Sequence, residues 1–534
     1  MFSLSLDKIS VASYLRTHLD SRGATLACLL LALINKLLIA YLYTDLEGDK
    51  SLYLLFTKNL LSGNSLTEPV NIIGSVTTYA HNPAAISPLY SLLAAPFLWL
   101  SRSYVATSFL VDLTAWSLFF AGAAKTARLI LKERWITNLF LLSIGFFIYP
   151  HELYSVPKDT LAVAFILWSV YFAIAFLSSL SIRNTIGLSA ALWLLALTKY
   201  AYVPLFFVSF SLLFFFKSGL ESRAYRYHMI ALFLALIAAP CFWFFLRTTP
   251  VNSINFINDG TAFVKGFYPG NLLSAYPFVS SSILNTNFWG VQLEDIFNIS
   301  FSSAMHLFRI LDVLLIAGVC FVIFRVFKLR FPVPLLYVLL LSAVIVGQLY
   351  LISLGYKTVV FKGSGNSFTY VSDARSFLFP IVTLQLLFFY LLFRTPVLPR
   401  GLRNFLFFLF LIECMHGAYF TTKQVLHAKE VLAVKSVSSP VKKITKSVLA
   451  ISSKGGELRL VTSDQHLRRY AALHNIQVYV LLNAPCTAAA LPSGNYLFAT
   501  HSEDSSLLQG CFSGQPVNQL EPIHPFLLNA YKKQ

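Results

Sequence analysis

The sequence predicts a polytopic α-helical membrane protein that ends in a small α/β domain, and three observations carry that prediction. Of its 534 residues, 57% are hydrophobic and only 12% are charged, whereas a soluble chain needs about a quarter of its residues charged to cover its surface. Apolar runs near the length that crosses a bilayer, about 20 residues, recur from Ala24 to Phe420. Beyond Phe420 the runs shorten and begin to alternate. The 49 Phe and 26 Tyr suit helices that face lipid and its interface. A net charge of +18 would suggest nucleic acid in a soluble chain. Here Lys and Arg sit in short loops between apolar runs, so the charge reads as loop charge and nucleic acid is not an expected partner. Met1 to Gly23 is polar and mixed, so no cleavable signal peptide is expected.

In chain order the expected spans are Ala24 to Tyr43, Tyr104 to Ala124, Trp135 to Pro150, Thr160 to Leu180 and Thr185 to Leu197. Ala201 to Phe216, Met229 to Leu246, Leu307 to Phe327, Val333 to Leu354, Phe377 to Phe393 and Asn404 to Phe420 follow. That makes about eleven, several of them short for a bilayer. Orientation comes from charge. With the N-terminus in the cytoplasm, Lys125 to Arg134, Arg183, Lys217 to Arg226, Arg325 to Arg330 and Arg394 to Arg403 all fall on the inner side. The short outer turns around Lys158 and Lys199 carry one lysine each. The division is then a membrane module over residues 1–421, a linker over 422–447 and an extracytoplasmic domain, periplasmic or lumenal, over 448–534.

The first outer loop, residues 44–103, stands apart. Asp45, Glu47 and Asp49 lie at the face where the first span ends, followed by two half-apolar helices that are poor spans. In the first, Asp49 to Leu61, Leu52, Leu55, Phe56 and Leu60 form one stripe with Lys50, Thr57 and Lys58 turned away, and Gly63 gives a stop. The second has Ser87 as N-cap and Pro88 as first helical residue. Both read as interfacial helices. Two further outer loops are long, Thr248 to His306 and Gly355 to Ser376, and long irregular loops in a compact protein are functional or disordered.

In the C-terminal region KKITKS (Lys442 to Ser447) reads as linker. ELRLVTS, IQVYVLL and NYLFATH read as strands, and DQHLRRYAALHN and EDSSLLQG as helices. Cys28, Cys241, Cys320 and Cys414 fall in apolar segments as small buried hydrophobes. Cys486 and Cys511 are placed to pair if their region lies outside the cytoplasm.

Single loop acids are usually solvated, but three within five residues at a membrane face point to function, for instance as a general base on an acceptor hydroxyl or amine. Asp159, in HELYSVPKD with Lys158, opens a helix, where an acid also serves as a dipole-stabilised cap. Lys199, in ALTKYAYVP, is either a snorkelling lysine or a cation held at the membrane surface. Arg375, in VSDARSFLFP, precedes a span in the same way. Two outer cations would suit an anionic phosphate head group. Asn298-Ile299-Ser300 is a lone glycosylation sequon. No Cys, His or acid spacing calls for a metal.

DKSLYLLFTKNLLSGN resembles the first-loop signature of GT-C superfamily glycosyltransferases of the aminoarabinose-transferase and protein O-mannosyltransferase type. The match places Asp49 on the first acid, Tyr53 on the tyrosine four residues later and Gly63 on the closing glycine. HNPAAISPLYSLLAAPFLWLS looks like the following proline and amphipathic helix, VPKDTLAVAF the second acidic turn, LALTKYAYVPL the Thr-Lys turn and DARSFLFPIV the late arginine element. The five landmarks run in the family's order over about 375 residues, and relatives also carry a small C-terminal α/β domain. Three positions depart from the pattern: Lys50 stands for the second acid, Asn82 for a lysine and Ser376 for an aromatic.

The resemblance implies transfer of a sugar, with inversion, from a polyprenyl-phosphate donor to a lipid, glycan or protein acceptor on the extracytoplasmic face. It makes Asp49 the general base, Lys199 and Arg375 the holders of the departing phosphate, and Asp159 an orienter of acceptor or base. Asp45, Glu47, Tyr53, His81 and Lys158 are accessory candidates. It names no cofactor, and leaves the sugar and any divalent metal open. Two other classes stay in view. A flippase for lipid-linked saccharide would show internal repeats and polar breaks at mid-membrane, and a catalytically degenerate scaffold would tolerate the altered acid pair.

Overall fold

The computed structural model describes residues 11–42, 46, 49–63, 68–72, 78–81, 88–149, 157–179, 181–199, 202–203, 253–254, 261–274, 276–327, 332–360, 367–368, 374–395, 398–428, 430, 439–452, 458–462, 464–480, 491, 493–501, 518–523 and 526–533. It consists of a helical bundle and a mixed sheet at one end of it. The bundle is built from α1 (Val11–Leu19), α2 (Arg22–Leu42), α5 (Tyr104–Leu131), α6 (Arg134–Phe146), α7 (Pro157–Ser178) and α8 (Ile182–Lys199). After the second long outer loop it continues through α10 (Phe301–Phe327), α11 (Val333–Gly355), α12 (Leu378–Arg394) and α13 (Arg400–Leu426). Between α2 and α5 lie α3 (Asp49–Leu61) and α4 (Leu89–Ser101), and α9 (Thr286–Phe297) precedes α10.

Among the described residues six helices are long and apolar enough to cross a membrane: Arg22–Leu42, Tyr104–Leu131, Lys158–Ser178, Phe301–Gly318, Val333–Gly355 and Arg400–Leu426. The expected spans beginning at Trp135, Thr185 and Phe377 are helical as α6, α8 and α12. They fall short because α6 and α12 have only 13 and 17 residues and α8 is polar at both ends. The expected spans at Ala201 and Met229 lie outside the described residues, as do Cys241, Cys486, Cys511 and the EDSSLLQG helix.

The bundle core is aromatic and small-residue in alternation. Trp116, Phe119 and Phe120 of α5 pack with Phe140 and Ile144 of α6, Ala162 and Ile166 of α7, and Phe389 of α12. Close packing of helices needs small residues where backbones approach. Gly417 of α13 is such a place, since a Cβ there would run into the carbonyl oxygen of Phe146.

The sheet runs in the order β10-β11-β9-β7-β8-β1-β2-β3. Its C-terminal strands are β7 (Leu458–Thr462), β8 (Val478–Val480), β9 (Gly494–His501), β10 (Asn518–Ile523) and β11 (Phe526–Lys533). Sequence patterning finds the first three and misses the last two. The segment expected as linker at Lys442 to Ser447 is instead the middle of a helix, α14 (Pro440–Ser452). Its Val441, Ile444 and Val448 recur at helical spacing and are buried against Leu458, Leu460 and Leu497 of the sheet. The second helix, α15 (Gln465–Leu473), opens on an Asp464 cap that accepts from the Leu467 N–H and lays Leu467 and Ala471 into the same core.

Three strands of this sheet come from elsewhere in the chain. From the first outer loop, β1 (Glu68–Ile72) pairs in parallel with β8, and β2 (Thr78–His81) pairs antiparallel with β1. From the second outer loop, β3 (Ser253–Ile254) adds to β2. One hydrogen-bonded sheet cannot straddle a bilayer, so the three chain segments that build it share one side. A second, three-stranded sheet joins β4 (Thr261–Lys265), β5 (Tyr356–Val360) and β6 (Ser367–Phe368), tying the second and third outer loops together.

Candidate functional site

Helix α3 has the bounds its sequence predicts, Asp49–Leu61, closed by Gly63 at a left-handed φ of 77°. Its first two turns are enclosed by protein. Residues 50–57 are all buried, including Lys50 and Thr57, both fully inaccessible. The helix is encased because three elements cover it: α4 on one side, α5 beneath and α15 of the C-terminal domain above. The stripe does not separate buried from exposed residues here, since Lys50 and Thr57 are as buried as Leu52 and Leu55. The second helix begins at Leu89 with Pro88 as its N-cap, so Pro88 sits one position outside the helix. Ser87 lies outside the described residues.

Lys50 is buried because it has a partner. Its ammonium donates to Asp112 Oδ2 at 2.9 Å, with both side chains out of solvent. Asp112 belongs to α5, inside an otherwise apolar run, and its only sequence signal is that a lone acid in a span demands a partner. A position where the resembled pattern has an acid thus holds a cation, and the compensating acid comes from the next long helix.

One turn beyond Asp49, Tyr53 starts a chain of contacts that reaches the other landmarks. Its ring lies 4.8 Å from that of Tyr90 in α4, and Ser91 Oγ donates to its carbonyl at 3.1 Å. The Lys158 ammonium of α7 stands 5.7 Å from the Tyr53 ring centre, within cation–π range. The next residue, Asp159, is buried and accepts from the Lys199 ammonium at 2.9 Å. Lys199, at the last position of α8, also lies 4.8 Å from the ring of Tyr202 and keeps a quarter of its side chain exposed.

The fold therefore sets Lys158 against Tyr53 and the next residue, Asp159, against Lys199, joining three separate stretches of sequence. Asp159 is placed to fix the ammonium of Lys199, beyond the cap role that its position in the first turn of α7 suggests. Position 49 is four residues before Tyr53 and so on the same face of α3. The side chains of Asp49, His81 and Arg375 are outside what is described; their backbones begin α3, end β2 and lie in the 3-10 turn Ala374–Phe377. Asp45 and Glu47 lie outside the described residues. Phe377, two residues after Arg375, is fully buried and stacks on Phe278 at 5.0 Å.

The upper side of α3 is clamped by the C-terminal domain. Lys58 donates to the carbonyls of Ala472 and Leu473 at the end of α15, at 2.7 and 3.3 Å. A cation at a helix C-terminus satisfies carbonyls that the helix leaves open and complements its dipole. The Tyr104 hydroxyl of α5 donates to the same Leu473 carbonyl at 3.2 Å. Leu54 and Leu55 bury against Leu473. Burial pushes the Lys58 ammonium below its ordinary value. Burial, and next the Lys58 charge, lower the pKa of His474, which follows α15.

No protein-family profile and no curated protein matches this chain. Among solved structures it is similar to a crystal structure of ArnT from Cupriavidus metallidurans bound to undecaprenyl phosphate. The TM-score is 0.49 at 14% identity, over 96% of this chain and 98% of that one. It is also similar to the apo crystal structure of ArnT from the same organism, with a TM-score of 0.47 at 15% identity over 95% and 98% of the two chains.

Proposed function

We propose that this chain is a membrane glycosyltransferase that takes a sugar from a polyprenyl-phosphate-linked donor on the side of the shared sheet. The observation that supports it most is that Lys158 stands against Tyr53 of α3 while the next residue, Asp159, pairs with Lys199. These residues carry three of the landmarks on which the sequence resemblance rests.

The chemistry follows from charge. As the glycosidic bond to the lipid phosphate breaks, negative charge develops on the phosphate oxygens, and fixed cations at that point stabilise it. Lys199 is oriented by Asp159, a quarter of its side chain is accessible, and an ammonium carries three protons of which this bond uses one. Lys158 adds a second positive charge nearby. Arg375 supplies a third contact, a bidentate one in keeping with guanidinium geometry. Asp49 takes the proton of the acceptor hydroxyl or amine as it attacks the opposite face of the sugar, which inverts the anomeric centre. Tyr53 and the buried pair of Lys50 with Asp112 hold the start of α3 in place for that step.

The test is a membrane assay with a panel of polyprenyl-phosphate sugars, comparing the unaltered chain with Asp49→Asn and Lys199→Ala. Transfer by the unaltered chain that both variants lose is the expected result. Normal transfer by Asp49→Asn would remove the base assignment. No transfer from any donor would favour a flippase or a scaffold.

A further inference from the structure

Two carboxylates sit deep in helices of the bundle and bond to a segment that sequence patterning assigns to an outer loop. Asp312 of α10 is buried and accepts from two backbone N–H groups, Val279 at 3.0 Å and Ser280 at 2.6 Å. Glu413 of α13 is buried and accepts from the Trp289 indole at 2.7 Å and the Asn285 N–H at 3.4 Å. Both helices are long and apolar enough to cross a membrane over the stretches that hold these acids.

Depth along the helices is set by geometry. Glu413 is midway between Arg400 and Leu426. Counted from the basic end, at Arg400 and Arg325, each acid lies about 20 Å along its helix axis at about 1.5 Å per residue. A hydrocarbon core about 30 Å thick therefore contains both. The part of the segment before α9, residues 277–285, holds no more than the short 3-10 turn Ser280–Ser282 and would leave backbone groups unsatisfied in lipid. Such backbone is tolerated at membrane depth only where protein covers and bonds it. That condition is met here: Phe278, Val279, Ser280, Ser281, Ser282 and Thr286 are all buried. The hydroxyls bond locally, Ser281 with Thr286 at 2.6 Å and Ser282 to the Val279 carbonyl at 2.6 Å. An ionisable group inside a membrane is retained for a purpose, and each of these two has its partner in the same segment.

We propose that residues 277–289 form a re-entrant segment that enters the bundle from the site end, and that Asp312 and Glu413 are the positioning residues that hold it there. Its outer end carries Phe278, stacked on Phe377 at an interplanar angle of 11°, with Tyr276 against the same ring at 6.2 Å. Phe377 belongs to the 3-10 turn Ala374–Phe377. The segment is thus the floor on which the Arg375 turn rests. This last step, and the transfer-assay outcome below, rest on the proposed glycosyltransferase function.

Cysteine accessibility in sealed membranes tests the proposal with no need of enzymatic activity. Ser281→Cys and Gly270→Cys are introduced separately into the full chain and labelled with a membrane-impermeant maleimide, with the unsubstituted chain as background for the native cysteines. Gly270 is exposed in the same loop and has open space around it. Ser281→Cys is expected to label at least about tenfold more slowly from either side, and equal rates would overturn the re-entrant assignment. Adding Asp312→Asn turns an amide N–H toward a backbone donor and is expected to raise Ser281→Cys labelling by about tenfold, the scale of a lost charge-assisted bond. Unchanged labelling would overturn the positioning role. Glu413→Gln, measured at Ser282→Cys, separates the same two outcomes where Asp312→Asn does not accumulate. In the transfer assay both acid variants should raise the donor KM while leaving kcat within about threefold, a split that general destabilisation does not produce. A protected Ser281→Cys in a chain without transferase activity would remove the functional reading and leave the re-entrant segment standing.

Discussion

Lys50 and Asp112 form a buried ion pair at 2.9 Å that ties the first turn of α3 to the third turn of α5. Neither residue is near the other in sequence, and each alone would be an uncompensated charge in a low-dielectric interior. Removing one partner of such a pair typically costs about 3–5 kcal/mol, while replacing both by apolar side chains of like volume is often neutral or better. Asp112→Leu alone should therefore lower thermal stability in detergent sharply, and Lys50→Met with Asp112→Leu should recover most of the loss. If the double variant is no more stable than the single one, the pair is not a coupled unit.

The Asp159–Lys199 pair makes a kinetic prediction. With Asp159→Asn the Lys199 ammonium keeps its charge but loses a charge-assisted bond worth about 1.5–3 kcal/mol. Donor KM should rise by roughly 10- to 100-fold, that energy expressed as a ratio, with a smaller change in kcat. Steady-state kinetics with a polyprenyl-phosphate sugar would read it. A fall in kcat at unchanged KM would place Asp159 in the chemical step instead of in holding Lys199.

Docking of the C-terminal domain on α3 should depend on pH through His474. Burial, reinforced by the Lys58 charge, holds its pKa below the ordinary 6.5. The undocked state then binds more protons than the docked one between the lowered value and 6.5, so stability rises with pH across that window. The contact is at full strength above pH 6.5 and is lost progressively as pH falls toward the lowered value. Amide protection in Gln465–Leu473, taken relative to the intrinsic base-catalysed rate at each pH, should fall on acidification, and His474→Gln should flatten that response. Identical pH profiles for the two proteins would refute the assignment.

Gly417 should not tolerate a side chain. Its added Cβ would meet the backbone of Phe146, which cannot rotate away. Gly417→Ala should cost about 1–3 kcal/mol as overpacking, despite the helix propensity that alanine gains. Gly318→Ala, with nothing within 4 Å of its Cβ, should gain up to about 1 kcal/mol from propensity alone. Melting curves of the two variants in the same detergent should move in opposite directions.

Much of the helical framework is legible in the sequence because it depends on local pattern. The bounds of α3 follow from its acid start and glycine stop, and Asp464 announces α15. The same local reading fails where a segment is buried on every side. Lys50 and Thr57 look solvent-facing only if α3 is given a polar face, and neighbours far along the chain take that face away. Lys442 to Ser447 looks like linker until Ile444 and Val448 are set on the sheet they cover. The strand β1 carries no signal of its own, since its parallel ladder partner β8 lies some 400 residues on.

What the sequence determined by itself is a chain of apolar helices fit to cross a membrane, with a short list of acids and cations in the segments between them. Hydropathy and the positive-inside bias are additive properties of short windows, so they survive without coordinates. What only the tertiary structure decided is which of those charges meet. It paired Lys50 with Asp112 and Lys199 with Asp159, set Lys158 over Tyr53, and joined two outer loops to the C-terminal domain in one sheet. The physical reason is that a buried charge or an open strand edge must find a partner, while nothing in its local sequence says where that partner lies.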